Sequence, residues 1–298
     1  MSDMKQIMNA AWQKGVVVPM FGVSYLPIME PLVQALVDTD TFGLVAVARV
    51  EWTKFEAESL EAVHREYQKY QHPRLTRLHL DHVPVIDEDG LTVDYAEILA
   101  RAVDVGYDSI MVDGSRLRLA ENIAATRRIV ELARKADVAV EGELGAILGH
   151  ESGPLPPYDE LFASGQGFTD PHEAAQFVKE SGVDWLSVAI GNIHGSIAPA
   201  AHKEQKIAAR LDIAHLAEIN KVVGIPLVLH GGSGIPKTYI QQSIKNGIAK
   251  INIGAAIRKP YQNLQDESVA KAQAAVYQAM LAVIEELDCK GSAKELPL

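Results

Sequence analysis

The chain has 298 residues, 48% of them apolar, and carries 39 acidic against 28 basic side chains for a formal net charge of −11. That length and apolar content suit one α/β barrel with a large core, whereas the negative charge excludes a general nucleic-acid binder, which needs a basic face, and disfavours an anionic membrane surface. A single cysteine, Cys289, leaves no disulfide framework or cysteine-based zinc site within one chain and points to a cytoplasmic protein. No apolar stretch reaches the roughly 20 residues of a membrane-crossing helix, and MSDMKQIMNAAWQKG at the start lacks the long apolar segment of a secretion signal.

Along the chain, short apolar runs alternate with helix-patterned segments. VVVPMFGV (16–23) precedes a helical pattern over 28–37, FGLVAVARV (42–50) one over 54–70, and TRLHLDHV (76–83) one over 93–104. SIMVDGS (109–115) is followed by 120–135, VAVEGELG (138–145) by 171–180, WLSVAIGN (185–192) by 212–221, and PLVLHGGSG (226–234) by 236–246. KINIGAAI (250–257) is the last run. The runs are nearly continuous in Val, Ile and Leu, as strands buried on both faces should be. Eight such strands with seven intervening helices and a final one predict a (β/α)8 TIM barrel, an α/β fold forming a single domain over 1–298. A doubly wound sheet is disfavoured because no G-x-G-x-x-G opens the first strand-to-helix turn.

Two stretches break the rhythm. Residues 146–170, rich in Gly and Pro, and 195–211 read as long loops after the fifth and sixth strands, where barrel active sites are built. The segment 260–288 reads as one long C-terminal helix with Pro260 at its start. Its stripe of Val269, Ala272, Val276, Met280, Val283 and Leu287 would pack on the sheet, with an oligomer contact as a second use.

Polar groups collect where these runs end. They are Asp81-His82, Asp113-Gly114-Ser115, Glu141 and Glu143, Asn192 with His194-Gly195, His230-Gly231-Gly232-Ser233-Gly234, and Asn252. In a barrel the carboxyl ends of all strands face one bowl, which would bring His82, His194 and His230 together. Three histidines with an open fourth position make a catalytic zinc arrangement, able to polarise a carbonyl or activate water. Strand alternation places His79 and Asp81 on one face and His82 on the other unless the strand ends first, so His79 reads as a core or supporting partner. HGGSGIP reads either as a phosphate cradle, with backbone N–H groups, the Ser233 hydroxyl and a following helix start, or as a tight turn needing glycine for the backbone.

HLDH, MVDGSRLRLAENI, VEGELG, FTDPHEAAQFV, VAIGNIHG, LHGGSGIP and KINIGAAIR stand in an order and spacing that resembles the class II, zinc-dependent ketose-bisphosphate aldolases, the fructose- and tagatose-bisphosphate enzymes. The resemblance covers about residues 76–258. It implies Zn2+ on His82, His194 and His230, with a monovalent cation as a further option. It implies Asp81 as acid/base on the hydroxyl at the bond being made or broken, and Glu151 as the group that moves the donor's α-proton. Asn252 would hold the enediolate end of the donor, Gly195, Gly231, Gly232 and Ser233 the donor and its phosphate, and Asp113 and Glu143 would stand beside the metal or serve a second one. The implied reaction is reversible aldol cleavage of a ketose (bis)phosphate to dihydroxyacetone phosphate and an aldehyde through a metal-stabilised enediolate. The implied partners are a sugar phosphate and further copies of the chain, as a homodimer or homotetramer, without nucleic acid or membrane.

The sequence departs from the family in places. Ala255 stands where a Thr usually helps hold the donor phosphate, Ser196-Ile197-Ala198-Pro199 replaces the usual segment after HG, VPVIDEDG is inserted after HLDH, and the Asn common in the first strand is absent from FGVSY. These changes keep open an aldolase acting on an unphosphorylated or sugar-acid ketose. A metal-dependent hydrolase or epimerase on the same barrel is the other enzyme reading. A non-catalytic relative should have lost ligands or the acid/base, and a carbohydrate-binding module needs neither.

Overall fold

The computed structural model describes residues 3–146, 157–192, 209–232 and 234–298. Eight parallel strands close on themselves in sequence order, β1 (Val18–Gly22), β2 (Gly43–Ala48), β3 (Thr76–Pro84), β4 (Ser109–Asp113), β5 (Ala139–Leu144), β6 (Trp185–Val188), β7 (Leu227–Leu229) and β8 (Ile248–Ile253), with β8 pairing back to β1. The anticipated TIM barrel is therefore the fold. The helices that follow are α2 (Met29–Asp38), α3 (Arg49–Thr53), α4 (Leu60–Tyr70), α5 (Tyr95–Val105), α6 (Leu119–Ala133), α7 (Tyr158–Ser164), α8 (Pro171–Ser181), α9 (Ile213–Val223) and α10 (Lys237–Lys245).

Alternation along the strands builds two cores. Val45, Val47, Leu78, Leu80, Ile251 and Ile253 face outward into a layer shared with the helices. Val18, Met20, Leu44, Ala46, Ala139 and Trp185 join a second cluster with Met4, Ile7, Met8 and Ala11 of the amino-terminal helix α1 (Met4–Lys14). Helix α1, which the sequence reading left unassigned, thereby closes one end of the barrel. Asp3 caps its first turn through a 2.7 Å bond from Gln6 N, and Gly15 ends it in the left-handed conformation.

Three sequence expectations need correction. The single helix over 260–288 is two helices, α11 (Ala255–Leu264) and α12 (Val269–Glu286). The first starts directly after β8, so Pro260 lies inside it rather than at its start, and Gln265–Ser268 break the axis. Ala272, Val276, Met280, Val283 and Leu287 are buried as the stripe predicts, but Val269, at the start of the second helix, is 48% exposed. The helical pattern over 54–70 is helix only from Leu60, as α4, and the run 42–50 ends as a strand at Ala48, with Arg49 and Val50 entering the short helix α3. The loop 146–170 contains helix α7 in its described half. The Tyr158 hydroxyl donates to Gly191 O (2.9 Å) and accepts from Arg210 N (2.7 Å), tying α7 to both flanks of 193–208. The insertion after HLDH forms a tight turn in which the Asp87 carboxylate accepts from the N–H groups of Asp89 and Leu91 and pairs with Arg49 at 3.4 Å.

Candidate metal centre and active site

Asp81 and His82 are neighbours, yet both serve the same bowl. The β3–β4 register shifts between Leu80 and Val83, and His82 adopts a positive φ of 28°. That irregularity cancels the alternation which would have sent the two side chains to opposite faces. Ligating atoms of Asp81, His82 and His230 lie within 4.8 Å of one another, as do those of His82, Asp113 and Glu143. The His82 and His230 rings meet edge-on with centroids 4.5 Å apart.

Carboxylates orient both rings. His82 Nδ1 is 3.2 Å from Asp113 Oδ2, and Ser115 in turn donates to Asp113 through its backbone N–H (3.0 Å) and hydroxyl (2.6 Å). His230 Nε2 is 2.9 Å from Glu141 Oε1, and its Nδ1 is 3.1 Å from Glu143 Oε2. Metal-binding histidines characteristically carry such outer carboxylates. Burial opposes charge on His82, but Asp81 first, then Asp113 and Glu143, push the ring up to about 10. Two imidazoles, the outer carboxylates and Asp81 together form a donor set that fits a divalent cation.

Burial would raise the Asp81 carboxyl, but His82, the His79 hydrogen bond, Lys250 and His230 hold it well below the usual carboxylate range. Asn252 Nδ2 donates to both its oxygens at 3.1 and 3.3 Å, while Asn252 Oδ1 is buried with no hydrogen-bond partner among the described residues. At the end of β7, Asn192 Nδ2 donates to His230 O at 3.1 Å. Gly231 and Gly234 have φ of 70° and 89°. A Cβ on Gly232 would lie 2.5 Å from Ile251 Cγ2, so this glycine is required by packing against β8 whatever else the turn binds. His194, Gly195, Glu151 and Ser233 lie outside the described residues.

The profile of the family described as fructose-bisphosphate aldolase class-II matches residues 2–292. The chain belongs to that family. Solved structures agree. The YdjI aldolase from Escherichia coli K12 matches with a TM-score of 0.74 at 26% identity, over 98% of this chain and 99% of that one. A Coccidioides immitis protein provisionally assigned as a fructose-1,6-biphosphate aldolase matches with a TM-score of 0.75 at 25% identity, over 97% and 96% of the two chains. The fructose-bisphosphate aldolase of Campylobacter jejuni, at 17% identity and a TM-score of 0.70 over 97% and 95%, shares the fold.

The chain is thus an aldolase, a carbon–carbon lyase, and its barrel holds polar groups that sequence reasoning did not connect. Lys250, fully buried on β8, sits 2.7 Å from Glu141 Oε2, 3.4 Å from His79 Nε2 and 3.8 Å from Asp81 Oδ1. Trp185 Nε1 donates to the same Glu141 oxygen at 2.6 Å. The signal was present as a lone Lys inside KINI and a Glu inside VAVE, opposite charges in apolar strands that must find each other. His79 is a supporting partner as expected, 3.5 Å from Asp81 and 2.8 Å from the Ser109 hydroxyl. Across the bowl, Glu51 fills the space beside Gly22, where a Cβ would lie 2.7 Å from Glu51 Oε1. Ser24 donates to that oxygen at 2.9 Å and Ala48 N to the other at 2.8 Å. Among the described residues no helix is long and apolar enough to cross a membrane.

Proposed function

We propose that this aldolase reversibly cleaves a ketose phosphate to dihydroxyacetone phosphate and an aldehyde, using a divalent ion, zinc in the first instance, held by His82, His230 and His194. The observation that carries the reading is the convergence of Asp81 with the ligating nitrogens of His82 and His230 within 4.8 Å, with Asn252 bonded to Asp81. When bound, the ion supplies Lewis-acid polarisation of the donor carbonyl. Asp81, kept ionised by its surroundings, takes the proton of the hydroxyl next to the breaking bond and returns it in condensation. Asn252 offers its buried Oδ1 to a donor hydroxyl while its amide N–H group steadies Asp81. Glu151 moves the donor's α-proton, and the Gly231-Gly232-Ser233 turn with Gly195 receives its phosphate. Asp113 and Glu143 orient the ligands.

Hydrogen–deuterium exchange at the hydroxymethyl carbon of dihydroxyacetone phosphate, followed by NMR in heavy water, tests the donor half-reaction without the acceptor. Exchange that a chelator abolishes is the expected result. Absence of exchange in protein that contains zinc overturns the assignment of this donor. Ala255, at the start of α11 where the family's phosphate-holding Thr usually stands, favours a second reading in which the donor is unphosphorylated or the ketose a sugar acid. Exchange into dihydroxyacetone exceeding that into its phosphate would select it.

A further inference from the structure

Glu141 is held by three groups at once. Its Oε2 accepts from Lys250 Nζ (2.7 Å) and Trp185 Nε1 (2.6 Å), and its Oε1 faces His230 Nε2 (2.9 Å). All four residues are fully buried. Oε1 of Glu141 is the nearer acceptor, 2.9 Å from Nε2, whereas Glu143 Oε2, 3.1 Å from Nδ1, already accepts from the Ser187 hydroxyl, so a neutral His230 ring carries its proton on Nε2. Nδ1, on the side of Glu143 and His82, is then the nitrogen with a lone pair for an ion. Trp185 and Lys250, both donating to Oε2, hold the carboxylate with Oε1 turned to the ring, and Lys250 does so from the neighbouring strand of His230.

We infer that Lys250 is a positioning residue for the metal centre. Acting through Glu141, it fixes the His230 ring so that Nδ1 is presented to the ion. The inference rests on the proposed metal site. Lys250 itself contacts Glu141 and His79 and stands 3.8 Å from Asp81.

The test is zinc affinity of purified, metal-stripped protein, measured by competition with a chromophoric chelator, beside the thermal midpoint of the same samples. Wild type, Lys250→Met, Glu141→Gln and the double variant are compared. Lys250→Met is expected to weaken zinc about tenfold or more, in the range found when an outer partner of a metal ligand is lost. Because Lys250 acts through Glu141, the double variant should bind no worse than the weaker single one, within about threefold. A lowered midpoint with zinc affinity unchanged would assign Lys250 a purely structural role and overturn the inference, as would single effects that multiply in the double variant. If Lys250→Met alone does not fold, the double variant, neutral on both sides of the lost pair, carries the test. Wild-type zinc affinity in that folded double variant overturns the inference. Failure of wild type itself to bind zinc would instead remove the metal site on which it rests.

Discussion

Glu51→Gln tests whether the bowl beside Asp81 is as desolvated as its geometry implies. Glu51 is 7% exposed, and its two oxygens accept from Ser24 and Ala48. Burial is the largest influence on it, with Asp81 adding repulsion. Against these, the Ala48 N–H, the Ser24 hydroxyl and Arg258 leave the carboxyl raised from its ordinary 4.5 to about 7. The unfolded chain releases this proton above pH 4.5, while the folded protein keeps it until about pH 7. The folded state therefore binds more protons in that window, and stability falls as pH rises through it, then levels off. At 1.36 kcal/mol per pH unit the gap costs the folded state about 3 kcal/mol above pH 7.

Glutamine never ionises and keeps both contacts. Its Oε1 can accept from Ala48 N, and its amide can donate to Ser24 Oγ once that hydroxyl turns. Glu51→Gln should therefore match wild type to within about 1 kcal/mol at pH 5 and exceed it by about 3 kcal/mol at pH 8. Calorimetric scans of both proteins at the two pH values read this as a difference in midpoint that opens by several degrees. A constant difference across pH, or a variant less stable than wild type at pH 8, would refute the reasoning and place Glu51 in a solvated site.

Asp81→Asn should lower the rate of carbon–carbon cleavage about 10²- to 10⁴-fold, the span typical of a lost proton-transfer group. Zinc content of the purified variant, measured by atomic emission, should stay close to wild type because the proposed ligands His82, His194 and His230 are untouched. Gly145→Ala should destabilise the barrel rim by more than about 1 kcal/mol, visible as a lower thermal midpoint. Gly145 has φ of 97°, and its new Cβ would lie 2.6 Å from Thr169 Oγ1, which bonds Leu144 O and Ala189 N.

The strand-end residues were legible because a barrel turns one-dimensional spacing into a ring. Any polar residue closing an apolar run lands at the same end of the sheet. Asp81, His82, Asp113, Glu143, His230 and Asn252 were found this way, and the described structure gathers them. What spacing could not supply was direction. Alternation assigned Asp81 and His82 to opposite faces, and only the register shift at Leu80–Val83 reverses that. Pairing was also hidden. Glu141 and Lys250 lie 109 residues apart, and nothing local in either strand names the other. The break between α11 and α12 was missed for a different reason. Pro260 reads as a helix start, whereas Gly254 follows the strand directly and lets the helix begin at Ala255, five residues sooner.

The charge in the bowl argues for how an ion enters it. Among the described residues, Asp81, Asp113, Glu141 and Glu143 are answered by one fully buried ammonium, Lys250. The remaining positive charge comes from the imidazoles, with His82 raised to about 10 by Asp81 and its neighbours and His230 raised chiefly by Glu141 and Glu143 against burial and His82. Zinc must displace the proton that His82 carries, and whatever proton occupies the ligating nitrogen of His230, to reach them. A divalent ion then replaces up to two protons and leaves the total charge nearly as it was. Two consequences follow from that exchange. Zinc uptake near pH 7 should release between one and two protons, read by titration calorimetry in buffers of different ionisation heat, and affinity should fall steeply as pH is lowered. The pull of the site on an anionic donor should depend little on zinc, because protonated imidazoles supply similar charge. Chelation should therefore abolish exchange into dihydroxyacetone phosphate while weakening its binding far less. Zinc uptake without proton release would mean that the carboxylates do not hold these rings as cations, and that the ion enters a site already prepared for it.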